Sequence, residues 1–492
     1  MLRKRTLARD NGNILIMSVI IMALLVATGM GYMRWSSDER WDSEYERATV
    51  QAYFLAQTGL IEQGLQYLRT RSPTDLPQGT VFLPPKTVVG VGSYLNATVR
   101  RVTELGSGDV FQRTDTYDLF CTGRTEFLNH QLGSRSYGTK MRVERTAKMR
   151  ARLRSFANYM YLTNYETTKY NEIIWFWTYD SLWGRTHSND FIGLKYSPHF
   201  YGPISTSKDQ FRYNSPQSIY FKYPPIFNAP PVLFPKTANT LRAGAQEWID
   251  SRDGRMMTRL RLRGDGGIQV HQYPLGTTPK DSLIKVINPL SYGGIFVDGQ
   301  CEIEGIATGN MSIGSSGDMW LIDNIRYDGA NQYNGWFEES EMQNMLGLIS
   351  EQNIYIRCTV ENGKSEDDIN DGWRNGSRPM QIDKHSIIID AGMVALGESF
   401  SFEYQNDDWA PGYEYVGPTP DERGIIHLKG AVTQWRRGYV HRSNHVGTGY
   451  GKDYHYDFRF DRRPPPFYLE ALDDKGHGLF DIVTWGELPP KK

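Results

Sequence analysis

The stretch Ile14–Met33, ILIMSVIIMALLVATGMGYM, runs for twenty residues without a charge. As an α-helix it spans about 30 Å, the thickness of a bilayer's hydrocarbon core. Nine of the twenty are Leu, Ile or Val, and together they contribute roughly −3 to −5 kcal/mol to insertion. Arg3, Lys4, Arg5 and Arg9 precede the run, whereas Arg34 alone follows closely before Asp38 and Glu39. The amino terminus is therefore expected to stay inside and everything after residue 34 to be exported. The run exceeds the apolar core of a cleaved secretory signal, usually about 7–15 residues, although Ala27-Thr28-Gly29 has the small side chains of a cleavage site.

Beyond the span the helical pattern continues. Ala48, Ala52, Leu55, Gly59 or Leu60, Leu65 and Leu68 recur at steps of three and four or close to it, with no proline until Pro73, so one transmembrane and stalk helix is expected over 13–70. Its outer half has a narrow apolar stripe, suited to packing on its own globular domain or in a filament of like helices.

The rest of the 492 residues forms a body large enough for several domains. A net charge of −1 argues against a generally basic nucleic-acid binder. Aromatics at 13%, with 30 Tyr and 12 Trp beside 48 Gly, mix β-formers with turn formers and point to a β-rich body. Cys121, Cys301 and Cys358 have no C-x-x-C spacing, so at most one bridge is expected, and buried free thiols are the commoner outcome.

The overall expectation is an α+β, mainly β chain. It has a leader over 1–12, the helix over 13–70, a β-rich domain over 71–155 and a β-rich middle region over 156–290. A β-solenoid-like domain over 291–470 and a tail over 471–492 complete it. Met141–Leu153 reads as a half-buried strand, with Arg142, Glu144, Thr146, Lys148, Arg150 and Arg152 on its polar face. Those bases suit either phosphate contact or a solvated edge whose charge prevents pairing. Prolines cluster over 215–245, in Tyr223-Pro224-Pro225 and Ala229-Pro230-Pro231, which makes this stretch an extended linker or a crossing over a sheet face. From Gly294 onward, short β segments recur every six to ten residues at first, punctuated by Gly299, Gly305, Gly309, Gly314 and Gly317. Such spacing fits stacked parallel rungs or hairpins.

Three groups of residues have chemical potential. His187, Asn189 and Asp190 share one tight turn and can exchange protons or hold a cation, but residues of this kind commonly bond their own backbone. His427, His441, His445 and His455 concentrate imidazole, yet Gly438, Gly447, Gly449 and Gly451 oppose the helix that a four-residue metal spacing requires. Asp318, Asp323 and Asp328 lie at steps of five, where calcium ligation and proton abstraction would need a base on the same face, and Arg326 is the nearest one. No phosphate loop, nucleophile elbow or reactive Cys–His pattern is visible. The chain is read as a non-enzyme without cofactors or metal.

Asp10-Asn11-Gly12-Asn13 before the apolar run, with Tyr53-Phe54-Leu55-Ala56-Gln57-Thr58-Gly59-Leu60 after it, resembles the leader of type IV pilins, especially minor pilins of the PilX kind. The resemblance implies cleavage by a prepilin peptidase after Gly12 and methylation of Asn13. Major pilins carry a glutamate five residues after the cut, and Met17 stands there in this chain, which favours a minor component. The body from Phe156 to about residue 470 resembles, in the order of its motifs, a family of unknown function that accompanies such leaders. Together these imply an inner-membrane, single-pass subunit of a type IV pilus or type II secretion-like assembly, with its body periplasmic or extracellular. Other pilin-like subunits are the implied partners. A polysaccharide-binding or polysaccharide-cleaving surface protein is the alternative.

Overall fold

The computed structural model describes residues 11–102, 115–169, 171–178, 180–277, 282–288, 292–357, 359, 362, 386–403, 422–442 and 448–489. The leader up to Asp10, Cys358 and His445 lie outside the described residues. The chain divides into two compact units: one holds 1–103, 115–152 and 480–492, the other 153–479 with 104–114.

In the first unit, helix α1 (Asn11–Gly59) continues through one widened π turn, Leu60–Leu65, into α2 (Gln66–Arg69). The long helix expected from the apolar stripe is therefore present. Its side chains from Ile14 to Trp35 are exposed, whereas Ala48, Ala52, Leu55, Ala56, Leu60, Leu65 and Leu68 are buried. They lie on an antiparallel sheet of β1 (Thr80–Leu83), β2 (Lys86–Val88), β3 (Gly92–Val102), β4 (Thr116–Leu128) and β5 (Lys140–Leu153).

Small residues permit the close approach. A Cβ on Gly123 of β4 would fall 1.9 Å from the Ala52 carbonyl oxygen, and one on Gly64 would fall 2.6 Å from the Leu119 side chain. Gly59 and the π turn that follows it lie against Cys121 and Leu119 of β4. Cys121 is a buried free thiol whose pKa burial pushes up to about 12. Strand β5 alternates as expected, with Val143, Ala147, Met149, Ala151 and Leu153 buried. Its basic face is engaged in pairs: Arg150 meets Asp118 at 2.8 Å, Lys148 meets the same carboxylate at 3.5 Å and Glu144 accepts from Arg124 at 2.7 Å. Residues expected to form a tail supply a further strand of this sheet, Phe480–Leu488, beside β5.

The second unit is a coil of parallel rungs. Its first stretch has three strands to a rung: β6 (Tyr161–Tyr165), β7 (Trp175–Phe176) and β8 (Ser181–Leu182), then β9 (Thr186–Ser188), β10 (Gly193–Tyr196) and β11 (His199–Phe200), then β12 (Ile204–Thr206), β13 (Arg212–Gln217) and β14 (Tyr220–Phe221). Each strand pairs in parallel with its counterpart three strands on. After α3 (Asn239–Gly244) come β15 (Glu247–Asp250), β16 (Met256–Arg263), β17 (Ile268–Pro274) and β18 (Leu283–Ile287). The chain then winds through β19 (Tyr292–Asp298), β20 (Cys301–Ala307), β21 (Asn310–Ser315), β22 (Met319–Tyr327), β23 (Met345–Ser350) and β24 (Ile354–Ile356). It ends in β25 (Ile387–Ile389), β26 (Gly392–Ala395), β27 (Phe400–Phe402), β28 (Glu422–Arg436), β29 (His441–Arg442) and β30 (Thr448–Tyr456).

One parallel sheet runs β15-β19-β21-β23-β26-β28-β6-β9-β12, so the early rungs continue the stack left by the late ones. At strand spacing it is about 40 Å from end to end. The proline-rich stretch covers that distance, because the chain must pass from β12 at one end to β15 at the other. It bridges Ser205 through Ile226, bonds Asn189 through Val232, packs Phe234 on Trp435, bonds Glu351 through Ala238 and reaches Gly314 and Gly294 with Leu241. This is the crossing over a sheet face rather than a free linker. A ladder of small residues in register, Gly294, Ser312, Gly347, Gly392 and Ala431, lies on the same sheet. Pro465 and Tyr468 sit where Cβ atoms on Gly347 and Gly392 would be.

Gly123→Val in the first unit is expected to lower stability by about 2 kcal/mol or more, since the helix cannot retreat without opening its packed face. Urea unfolding of the detergent-solubilised chain checks this, with Gly79→Ala, which meets nothing within 4 Å, as the neutral control.

Candidate functional site

The turn bearing His187, Asn189 and Asp190 brings the first two side chains into contact, and the polar atoms of all three are already engaged. His187 shares a hydrogen bond of 2.9 Å with the Ser205 hydroxyl and one of 3.1 Å with Asn189. Asn189 also donates to Asn164 and to the Val232 carbonyl and accepts from the Val232 amide at 2.8 Å. Asp190 accepts from the backbone amides of Glu166 and Phe191. Burial lowers the His187 pKa to about 4, against a smaller opposing effect from the Asn189 bond. The cluster fastens the crossing segment to the rungs.

The aspartates of 318–328 do not converge. Asp318 accepts from Asn353 at one end of β22, Asp323 lies within that strand, and Asp328 follows its other end. No group of three metal-ligating side chains occurs among the described residues. Of the histidines, His427 on β28 and His455 on β30 both bond the Asp453 carboxylate, each at 2.8 Å. Those two bonds hold the Asp453 carboxyl well below the usual carboxylate range.

Sequence reasoning missed a groove of about 350 Å³ in the second unit. Its walls are the part of the first rung that carries β7 and β8, from Glu172 to Trp177 and from Asp180 to Trp183, and the turn Arg437–His441 after β28, and β30 supplies Lys452 through His455. One signal was visible: the tryptophans of Ile174-Trp175-Phe176-Trp177 and Trp183 crowd a stretch with little apolar alternation.

A buried ion pair sets the groove's geometry. Arg437 and Glu166 meet at 2.8 Å with side chains 2% and 1% exposed. Arg437 also donates to the Ile174 carbonyl and lies 3.7 Å from the centre of the Phe176 ring. Gln434 accepts from the amides of Phe400 and Gly438 and donates to the Tyr161 hydroxyl. Tyr439 donates to Glu172 at 2.8 Å, tying one wall to the other. Within the groove Lys452 pairs with Asp180 at 2.8 Å, and His441 stacks 6.4 Å from Trp177, its pKa lowered by burial and then by Lys452. The Tyr454 hydroxyl is buried without a hydrogen-bond partner among the described residues.

The crystal structure of the competence-associated pilin ComZ from Thermus thermophilus is similar to this chain. It matches at 11% identity and a TM-score of 0.28, over 90% of this chain and 97% of that one. No family model and no curated protein matches. At that level of likeness the reading rests on the chain's own helix, sheet and groove.

Glu166→Ala is expected to cost about 3–5 kcal/mol, because it strands the Arg437 charge in the interior; thermal unfolding measures it. His187 gives a pH dependence. Its native pKa lies below the unfolded value, so its contribution is complete above about pH 6.5 and is lost as pH falls towards 4, by up to about 3 kcal/mol. Urea midpoints at pH 7 and pH 4 should show a smaller difference in His187→Gln than in the parent.

Proposed function

We propose that the chain is a minor pilin-like subunit, held in the inner membrane by α1 and carrying a large exported body that assembles or adheres and performs no chemistry. The observation that carries this reading is the division of α1. Its apolar amino-terminal part is bare, with no residue of the most apolar window buried, and it is long and apolar enough to cross a membrane. Its carboxy-terminal part packs on an antiparallel sheet through small residues.

Above the apolar segment the helix keeps exposed Val50, Phe54 and Ile61 at steps of four and seven. That spacing suits packing against a similar helix once the subunit leaves the bilayer. Other pilin-like subunits are then the partners, and a prepilin peptidase is the processing enzyme, cutting between Gly12 and Asn13. The excess of Arg and Lys before the span supports a cytoplasmic amino terminus.

Intact mass spectrometry of the amino-terminal peptide, from protein isolated from its native membrane, tests the proposal. A start at Asn13 with one added methyl is expected. A start at Met1 would reduce the chain to a signal-anchored surface protein, and a start near Met30 would make it a secreted one.

A further inference from the structure

The groove of the second unit has a composition that selects its ligand. Trp175, Trp177 and Trp183 line it, with Trp183 43% exposed. Aromatic planes of this kind take either sugar rings or nucleobases. The charges separate the two. Glu172, Asp180 and Asp453 stand against Lys195 and Lys452, while Arg437 is consumed by the buried Glu166. A phosphate backbone would meet carboxylates here, whereas a hydroxyl-rich neutral ring finds both donors and acceptors.

The second observation is the Tyr454 hydroxyl. Tyr454 lines the groove and is 7% exposed, and its hydroxyl lacks a partner among the described residues although Tyr161, Asp180 and Arg437 stand near enough to act on it electrostatically. A buried hydroxyl without a partner costs free energy that a ligand hydroxyl would return. A third observation extends the surface. Trp183 stacks on Tyr201 of the next rung at 3.8 Å and 8°, and Tyr201 lies 5.5 Å from Tyr220 of the rung after. Aromatic rings therefore climb the coil from the groove.

We propose that this groove binds a neutral polysaccharide segment, with Trp177 and Trp183 stacking on sugar rings and the Tyr454 hydroxyl and the Asp180–Lys452 pair bonding ring hydroxyls. The site binds without cleaving. Glycoside hydrolysis needs one carboxyl that stays protonated to serve as the acid; Asp180 is committed to Lys452 and the Trp177 amide, Asp453 is fixed between two imidazoles, and Glu172 accepts from the Tyr439 hydroxyl as a carboxylate does. Binding of this kind does not depend on assembly into a pilus.

The test uses the full detergent-solubilised chain, with tryptophan fluorescence and calorimetry against cellohexaose, maltohexaose and chitohexaose, and a single-stranded 20-nucleotide DNA as the polyanion. At least one hexasaccharide is expected to bind and to come off intact. Trp183→Ala and Trp177→Ala should each weaken that binding tenfold or more. Tyr454→Phe, which keeps the ring and the packing, should weaken it severalfold with unchanged thermal unfolding. The proposal is overturned if none of the three sugars binds, if binding is indifferent to all three substitutions, or if the DNA binds and the sugars do not.

Discussion

The second unit depends on one backbone ladder, the parallel pairing of β28 with β6, in which Val432, Thr433, Gln434 and Arg436 meet Tyr161, Leu162, Thr163 and Tyr165. On either side of that seam the rungs are ordinary coil. Without it, two stacks from sequence positions some 270 residues apart would each present an open edge of unpaired amides and carbonyls. The seam removes both edges at once. It also explains where the polar interior lies, since Glu166, Arg437, Gln434 and the Tyr161 hydroxyl all gather within a few residues of it. Charges withdrawn from water persist only when fully partnered, and here the backbone carbonyls and the Phe176 ring complete the guanidinium's surroundings.

The groove is a by-product of the same seam. One wall is the part of the first rung that follows β6 and carries β7 and β8, and the other is the turn just after β28, so neither wall makes a concavity by itself. The Arg437–Glu166 pair beneath the walls is buried, and Trp175, Trp177 and Trp183 are among the residues that line the groove. A rigid support thus lies beneath a surface with few conformations to lose, the arrangement that lowers the entropic cost of binding.

Local features of the sequence are legible and distant ones are not. Ile14–Met33, the stripe through Leu68 and the alternation of β5 announce their structures because helix and strand periods operate over a few residues. The first coil stretch, within 156–290, reads only as strands and turns. Its rungs are unequal, with Tyr161 paired to Thr186 and Thr186 to Ile204, and its strands are as short as two residues, so no repeat survives in composition. The pairing of Phe480–Leu488 with the first sheet has a sequence separation of more than 300 residues and no local signature. His187, Asn189 and Asp190 are visible as a cluster, but whether such groups face a ligand or each other depends on Ser205, Asn164 and Val232, which only folding brings near. The tryptophans of the groove are plain in the sequence, while the Arg437–His441 wall that gives them a purpose is not.

The chain comes into the coil and leaves it side by side: the Arg154 amide bonds the Leu479 carbonyl, and the Ala471 amide bonds the Arg154 carbonyl. In topological terms the whole unit is a loop between two strands, tied shut at its base. A loop closed in this way can gain or lose entire rungs without altering the register of the sheet that hosts it. Because the entering and leaving segments run antiparallel at that base, tension along the polypeptide meets the tie before it reaches the rungs.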